Sequence, residues 1–274
     1  MFINCRGNLV DLSQPRIMGI INITPDSFFS GSRSTSEKEI LQSAEKMLNE
    51  GADFLDLGAY SSRPGADDIP VEEELQRMIP AIELIRKNFP EAVLSIDTFR
   101  AEVASKSIEA GADIINDISA GRLDDAMLPL IARKQVPYIM MHMKGTPQTM
   151  KDLNQYEDLV NDILLYFSER IKAARELGIN DIIIDPGFGF AKNIEQNYEL
   201  FSKLELFKNF DLPLLVGISR KSMIWKKLGA SASEALNGTT VLNSIALIKG
   251  ANILRVHDVK EAKECIKLTS ELTY

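Results

Sequence analysis

Residues 92–117 read AVLSIDTFRAEVASKSIEAGADIIND. An apolar run, Val93–Ile96, stops at the carboxylate of Asp97. An amphipathic segment, Phe99–Ala110, reads as a helix closed by Gly111, and a second apolar run, Ile114–Ile115, stops at Asn116. This strand–helix–strand unit sets the pattern for the rest of the chain. Further short runs occur at Ile17–Ile23, Phe54–Leu57, Tyr138–Met141, Ile182–Ile184, Leu214–Ile218 and Ile253–Val256, making eight in all. At or just past their ends stand Asn22, Arg63, Asp97, Asn116, His142, Asp185, Lys221 and the pair Arg255 and His257. Helical segments separate nearly all of them. Eight alternating units predict a single parallel (β/α)8 TIM barrel, whose strand C-termini converge on one mouth. Met1–Leu12 adds a short strand-like extension before the first barrel strand.

The length of 274 residues suits one such barrel, so one domain spanning 1–274 is expected. Ala-Gly-Ala-Asp or a variant precedes three of the strands, at Gly51, Gly111 and Gly250, as helix-to-strand turns. Ser36 with Glu39 suggests a capping box for a helix to about Asn49, and Pro80 predicts a kink or break within Val71–Lys87. Later helices are expected over Asp124–Lys134, Glu157–Leu177, Asn193–Phe207, Leu236–Lys249 and Val259–Leu272. The net charge is −8 with no basic block, which argues against a nucleic-acid partner. No run approaches the ~18 apolar residues of a membrane span. Cys5 and Cys265 read as free thiols, and with no signal-peptide pattern the expected compartment is the cytoplasm.

The residues at the mouth carry the chemistry. A lone Asp at a strand end is often a helix cap, but Asp97, Asp185 and Asn116 on one face form a set. Carboxylates only accept hydrogen bonds, whereas an amide donates and accepts. Together they match a flat heterocycle with an amidine-like edge, such as a pterin or a purine, and Lys221 supplies a donor for its carbonyl. Phe190, in Asp185-Pro186-Gly187-Phe188-Gly189-Phe190, offers a ring for stacking. Arg63, Arg255 and His257, with the amides that follow Ser222, make a clamp for phosphate or pyrophosphate. Judged alone, Arg255 reads equally as a structural ion pair, and His142 and His257 as structural imidazoles. Met140 and Met141 read as core or as an apolar wall. Nothing resembles a zinc site or a Gly-rich phosphate loop. A hard cation such as Mg2+ remains open through Asn22 and a substrate phosphate.

Several motifs together resemble the dihydropteroate synthase family. They are Asn22-Ile23-Thr24-Pro25-Asp26-Ser27-Phe28, Ser62-Arg63-Pro64-Gly65-Ala66, Ser95-Ile96-Asp97-Thr98, Ile115-Asn116-Asp117 and Met141-His142-Met143-Lys144-Gly145. Asp185–Phe190, Gly217-Ile218-Ser219-Arg220-Lys221-Ser222 and Arg255-Val256-His257-Asp258 complete the set, in the family's order from about Ile17 onwards. The resemblance implies that 6-hydroxymethyl-7,8-dihydropterin diphosphate and p-aminobenzoate condense to 7,8-dihydropteroate and pyrophosphate. It implies a pterin site of Asp97, Asn116, Asp185 and Lys221, walled by Met140 and Phe190. It implies a diphosphate site of Asn22, Arg63, Arg255 and His257, with Mg2+ on Asn22. A p-aminobenzoate site of Phe28, Ser62, Arg63, Pro64, Lys221 and Ser222 follows, with Thr24–Phe28 and Ser62–Pro64 as closing loops. Lys221, Arg255, His257, Arg63 and Asp97 are the expected catalytic set. A homodimer and sulfonamide susceptibility are also implied. The chain departs from the family's usual Glu, Thr and Gly at Tyr60, Ser62 and Ala191. The alternatives are a pterin-binding methyl-transfer domain, which would need no diphosphate clamp, and a non-catalytic paralogue.

Overall fold

The computed structural model describes residues 1–23, 33–60 and 68–272. The expected loop residues Thr24–Phe28, Ser62, Arg63 and Pro64 lie outside them.

Period-2 apolar patterning puts β1 (Phe2–Cys5) and β2 (Asn8–Asp11) into an antiparallel hairpin, which is the expected N-terminal extension. Then follow β3 (Arg16–Asn22), α1 (Arg33–Glu50), β4 (Phe54–Gly58), α2 (Val71–Asn88), β5 (Val93–Asp97), α3 (Ala101–Glu109), β6 (Ile114–Asp117) and α4 (Met127–Lys134). The second half comprises β7 (Tyr138–Met141), α5 (Leu159–Glu176), β8 (Ile182–Asp185), α6 (Ile194–Ser202), β9 (Leu215–Val216), α7 (Ser222–Leu228), α8 (Leu236–Ile248), β10 (Ile253–Val256) and α9 (Val259–Ser270). The sheet order is β8-β7-β6-β5-β4-β3-β10-β9, all parallel. An isolated parallel bridge, Ile184–Leu214, joins the two outer strands and brings the ring round to a barrel.

Side chains alternate across each strand, so the barrel interior takes every second residue. At its N-terminal end that interior is apolar. Met18, Phe54, Ile114, Ile139, Ile183, Leu215 and Ile253 pack there against Ile3, Cys5 and Leu12, so the hairpin seals the floor. Both cysteines are free and buried. The outward residues of the strands pack under the helices in a second, larger core. Among the described residues, no helix is long and apolar enough to cross a membrane.

Two local expectations are corrected. α1 begins at Arg33, so Ser36 lies inside the helix and is not its cap. Pro80 does not break α2, which runs unbroken from Val71 to Asn88. Burial of Met78, Ala81, Ile82 and Ile85 on one face outweighs the single backbone bond that proline removes. The repeated helix-to-strand turn is as expected, with Gly111 at φ +109°, a conformation that a side chain would strain.

Candidate active site

Registration across the sheet decides which side chains enter the mouth. Asn22 pairs with Gly58, Gly58 with Asp97, and Asp97 with Asn116, so all four face the interior at one level. Asn116 pairs with Ile139, an interior residue, and Met141 with Asp185. Gly58 and Gly217 leave space beside Asp97, Arg255 and Asp185, which a Cβ at either position would approach within 4.0 Å. Above an apolar floor, the strand ends therefore build a polar ring.

Arg255 holds the ring together. Its Nε donates to Asp56 Oδ2 at 2.6 Å and its Nη2 to Asp97 Oδ2 at 2.8 Å. Asp56 is fully buried and also accepts from Ser95 Oγ at 2.6 Å and Asn116 Nδ2 at 3.2 Å. Among the described residues nothing accepts from Nη1 of Arg255, so one edge of the guanidinium is left for an anion. Burial disfavours the Arg255 charge, but Asp56 and Asp97 outweigh it and hold the group above its ordinary range. Burial raises the Asp97 carboxyl to about 7, although Arg255 opposes the shift. Burial also raises Asp185, against the pull of Lys221.

Lys221 precedes the first residue of α7 and reaches back to donate to the Phe188 carbonyl. Its Nζ lies 4.9 Å from the centre of the Phe190 ring. Burial lowers its ammonium to about 8, with Asp185 opposing. His257 stands one residue beyond β10. Its amide donates to Ser219 Oγ at 3.2 Å, and its Nδ1 lies 3.0 Å from the same hydroxyl. Ser222 opens α7 half-buried, and Asn22 is exposed at the end of β3. His142 is buried edge-on to Tyr166 at 4.8 Å, and burial keeps its imidazole neutral by lowering its pKa well below the ordinary value.

The structure thus gathers Asp97, Asn116, Asp185, Arg255, Lys221, His257 and Phe190 around one mouth. Met140 is a correction. It pairs with Asp117 and Ile184 on the outer face of the strands and is fully buried in the core beneath the helices. Met141 faces inward and packs with Phe190. The strand alternates, so reading it one residue off reverses the face.

Sequence reasoning also passed over Asp56, Ser95, Ser219 and Lys192. A charge at the inward parity of Phe54-Leu55-Asp56-Leu57 was the available signal for the first. At the departures from the family pattern, Tyr60 accepts from Gln148 Nε2 at 2.7 Å and lies 3.2 Å from Asp68 Oδ1. Its ring packs edge-on to Phe99 and under the Arg100 guanidinium, 5.2 Å from each. Ala191 takes a left-handed backbone, φ 48°.

A family model described as "Pterin binding enzyme" matches residues 18–257. The dihydropteroate synthase of Escherichia coli (strain K12) is 44% identical over 265 residues, covering 96% of this chain and 93% of its own. That of Synechocystis sp. is 42% identical over 259 residues, covering 93% and 89%. Among solved structures, Yersinia pestis dihydropteroate synthase in a sulfonamide drug complex superposes with TM-score 0.92 at 40% identity, over 99% of this chain and 98% of its own. The Xanthomonas albilineans enzyme with 4-aminobenzoic acid gives 0.90 at 37% identity, over 98% and 97%.

Proposed function

This chain belongs to the pterin-binding enzyme family and acts in folate biosynthesis as a transferase, like the synthases it resembles; from that premise we propose how its pocket carries out the reaction. The observation that supports the reading is the inward row of Asp97, Asn116 and Asp185, with Arg255 crossing it and Lys221 facing it.

The two carboxylates accept from the ring N–H and amino groups of 6-hydroxymethyl-7,8-dihydropterin diphosphate, and Asn116 both donates and accepts. Lys221 donates to the ring carbonyl, and Phe190 and Met141 wall the slot. The C–O bond to the diphosphate breaks first, because the electron-rich dihydropterin stabilises positive charge on its methylene carbon. Arg255, His257 and, by resemblance, Arg63 stabilise the charge that grows on pyrophosphate. p-Aminobenzoate, held by resemblance at Phe28, Ser62, Arg63, Pro64, Lys221 and Ser222, then attacks through its neutral amine. A C–N bond forms, the nitrogen loses its proton, and 7,8-dihydropteroate is released. The amine needs positioning more than a base.

Asn22, an oxygen donor exposed at the end of β3 on the mouth side, would hold Mg2+ together with the substrate diphosphate. Among the described residues no cluster of His, Cys, Asp or Glu is built to hold a metal, so the ion would depend on the substrate's phosphates and on water for most of its ligands. Bound there, it would supply positive charge against the diphosphate. The sulfonamide bound by the Yersinia pestis relative supports competition with p-aminobenzoate here. Exposed Leu228, Val241, Ile248 and Leu268 on α7, α8 and α9, with Leu272 just beyond α9, support a homodimer, which sedimentation would test. We place the enzyme in the cytoplasm.

The test is pyrophosphate release by purified protein given the dihydropterin diphosphate and Mg2+, with and without p-aminobenzoate. Turnover that requires p-aminobenzoate is expected. Tight pterin binding without turnover would instead identify a non-catalytic paralogue.

A further inference from the structure

Lys192 is a buried lysine that the reaction above does not use. It lies between the end of β8 and the start of α6, where Asn193 caps the helix with a capping box. Its Nζ donates to the Gly187 carbonyl at 2.9 Å and to the Phe190 carbonyl at 3.0 Å, and lies 3.0 Å from His142 Nδ1. An ammonium has three donors and no acceptor, so these three partners saturate it. Among the described residues it makes no ion pair with any carboxylate. Burial pulls its pKa well below the ordinary lysine value, while Asp185 opposes this through space and the three acceptors around Nζ favour the charged form.

The placement of the three partners gives the residue its role. Gly187 and Phe190 are the two ends of the turn that follows Asp185, and the carbonyl between them, on Phe188, receives Lys221. His142 belongs to the loop after β7, and its amide donates to the Asp185 carbonyl at 3.0 Å. A Cβ on Gly187, at φ +71°, would run into the His142 carbonyl oxygen, so the two loops touch directly. Asp185 Oδ1 in turn accepts from the Gly187 amide at 2.8 Å. One ammonium therefore ties both ends of the turn to the loop after the neighbouring strand, and through that turn it fixes Asp185, Phe190 and Lys221 relative to each other.

We propose that Lys192 is a positioning residue for the pterin pocket, stapling the 187–190 turn against His142 so that Asp185, Phe190 and Lys221 meet the ring in one geometry. The inference rests on the pterin-site reading above. It assigns Lys192 no contact with substrate, and p-aminobenzoate senses the residue only through Lys221.

The test compares full-length Lys192→Met, which keeps the stem and removes the donors, with Lys192→Gln, which restores two of them. For each variant, thermal unfolding, binding of pterin-6-carboxylate by calorimetry, and the KM for each substrate are measured. Expected for Lys192→Met is a rise of about tenfold or more in the pterin Kd and KM, with a clearly smaller rise in the p-aminobenzoate KM, because that site shares only Lys221 of the three fixed residues. Lys192→Gln should recover part of the pterin affinity. A folded Lys192→Met with unchanged pterin Kd would overturn the proposal, and so would equal loss for both substrates. If Lys192→Met does not fold, the Lys192→Gln split decides on the same terms. Wild-type protein that fails to bind the pterin probe would take down the site reading and this inference with it. Wild-type binding matched by the variants would remove only the role of Lys192.

Discussion

Arg255 Nε lies 2.6 Å from Asp56 Oδ2, so the cation at the centre of the mouth is held from below by a carboxylate with no access to solvent. Removing one partner of a buried pair leaves the other charge uncompensated, which costs more than the pair itself contributes. Asp56→Ala also frees Ser95 Oγ and Asn116 Nδ2. We expect it to lower the unfolding free energy by about 3 kcal/mol in a urea titration. Its kcat/KM should fall at least about tenfold, because Arg255 is then held by Asp97 alone. A stability loss below about 1 kcal/mol would mean that water replaces the carboxylate at little cost.

The two ionisations facing the ring predict a bell-shaped pH profile. The Asp97 carboxyl is raised to about 7, so its acceptor form is present above that pH and is lost as pH falls through it. The Lys221 ammonium is lowered to about 8, so its charge is present below that pH and is lost as pH rises through it. The kcat/KM for the pterin substrate should therefore peak in the narrow window between them, measured from roughly pH 5.5 to 9.5. Lys221→Arg keeps the cation at all these values and should move the alkaline limb up by more than about one unit. An alkaline limb that stays in place would assign it to another group.

Ala191 sits at φ 48°, where a side chain costs roughly 1–2 kcal/mol relative to glycine. Glycine returns some of that through the entropy of the unfolded chain, about 0.5–1 kcal/mol. Ala191→Gly should therefore stabilise the protein by up to about 1 kcal/mol. The Ala191 carbonyl also accepts from Tyr156 OH at 2.9 Å, and that bond does not depend on the methyl group. A lower melting temperature in the glycine variant would show that the methyl contact in the Met141–Phe190 cluster matters more than the strain.

The barrel and most of its mouth were legible because strand ends announce themselves. Asp97, Asn116, Asp185 and Arg255 each interrupt an apolar run at its C-terminal side, and parallel β/α topology brings those ends together whatever their separation in sequence. Asp56 was less legible because it lies inside its strand, where one charge among Phe54, Leu55 and Leu57 looks like noise until the inward parity is known. Lys192 was hidden for another reason. Its partners are two backbone carbonyls and an imidazole fifty residues away, and no local pattern encodes them. Pro80 misled because propensity is local, whereas the buried face of α2 is not.

The methionine pair tests the parity argument most directly, because the two side chains are chemically identical neighbours on opposite faces of β7. Met140 is fully buried under the helices, so Met140→Ala should cost about 2–5 kcal/mol in stability and leave the pterin KM unchanged. Met141 packs with Phe190 at the mouth, so Met141→Ala should raise the pterin KM by about threefold or more at a smaller cost in stability. Steady-state kinetics and urea unfolding on both variants separate the two effects. The reverse pattern, with Met140→Ala damaging pterin affinity and Met141→Ala damaging stability, would place the strand in the opposite register and move Asp185 out of the pocket with it.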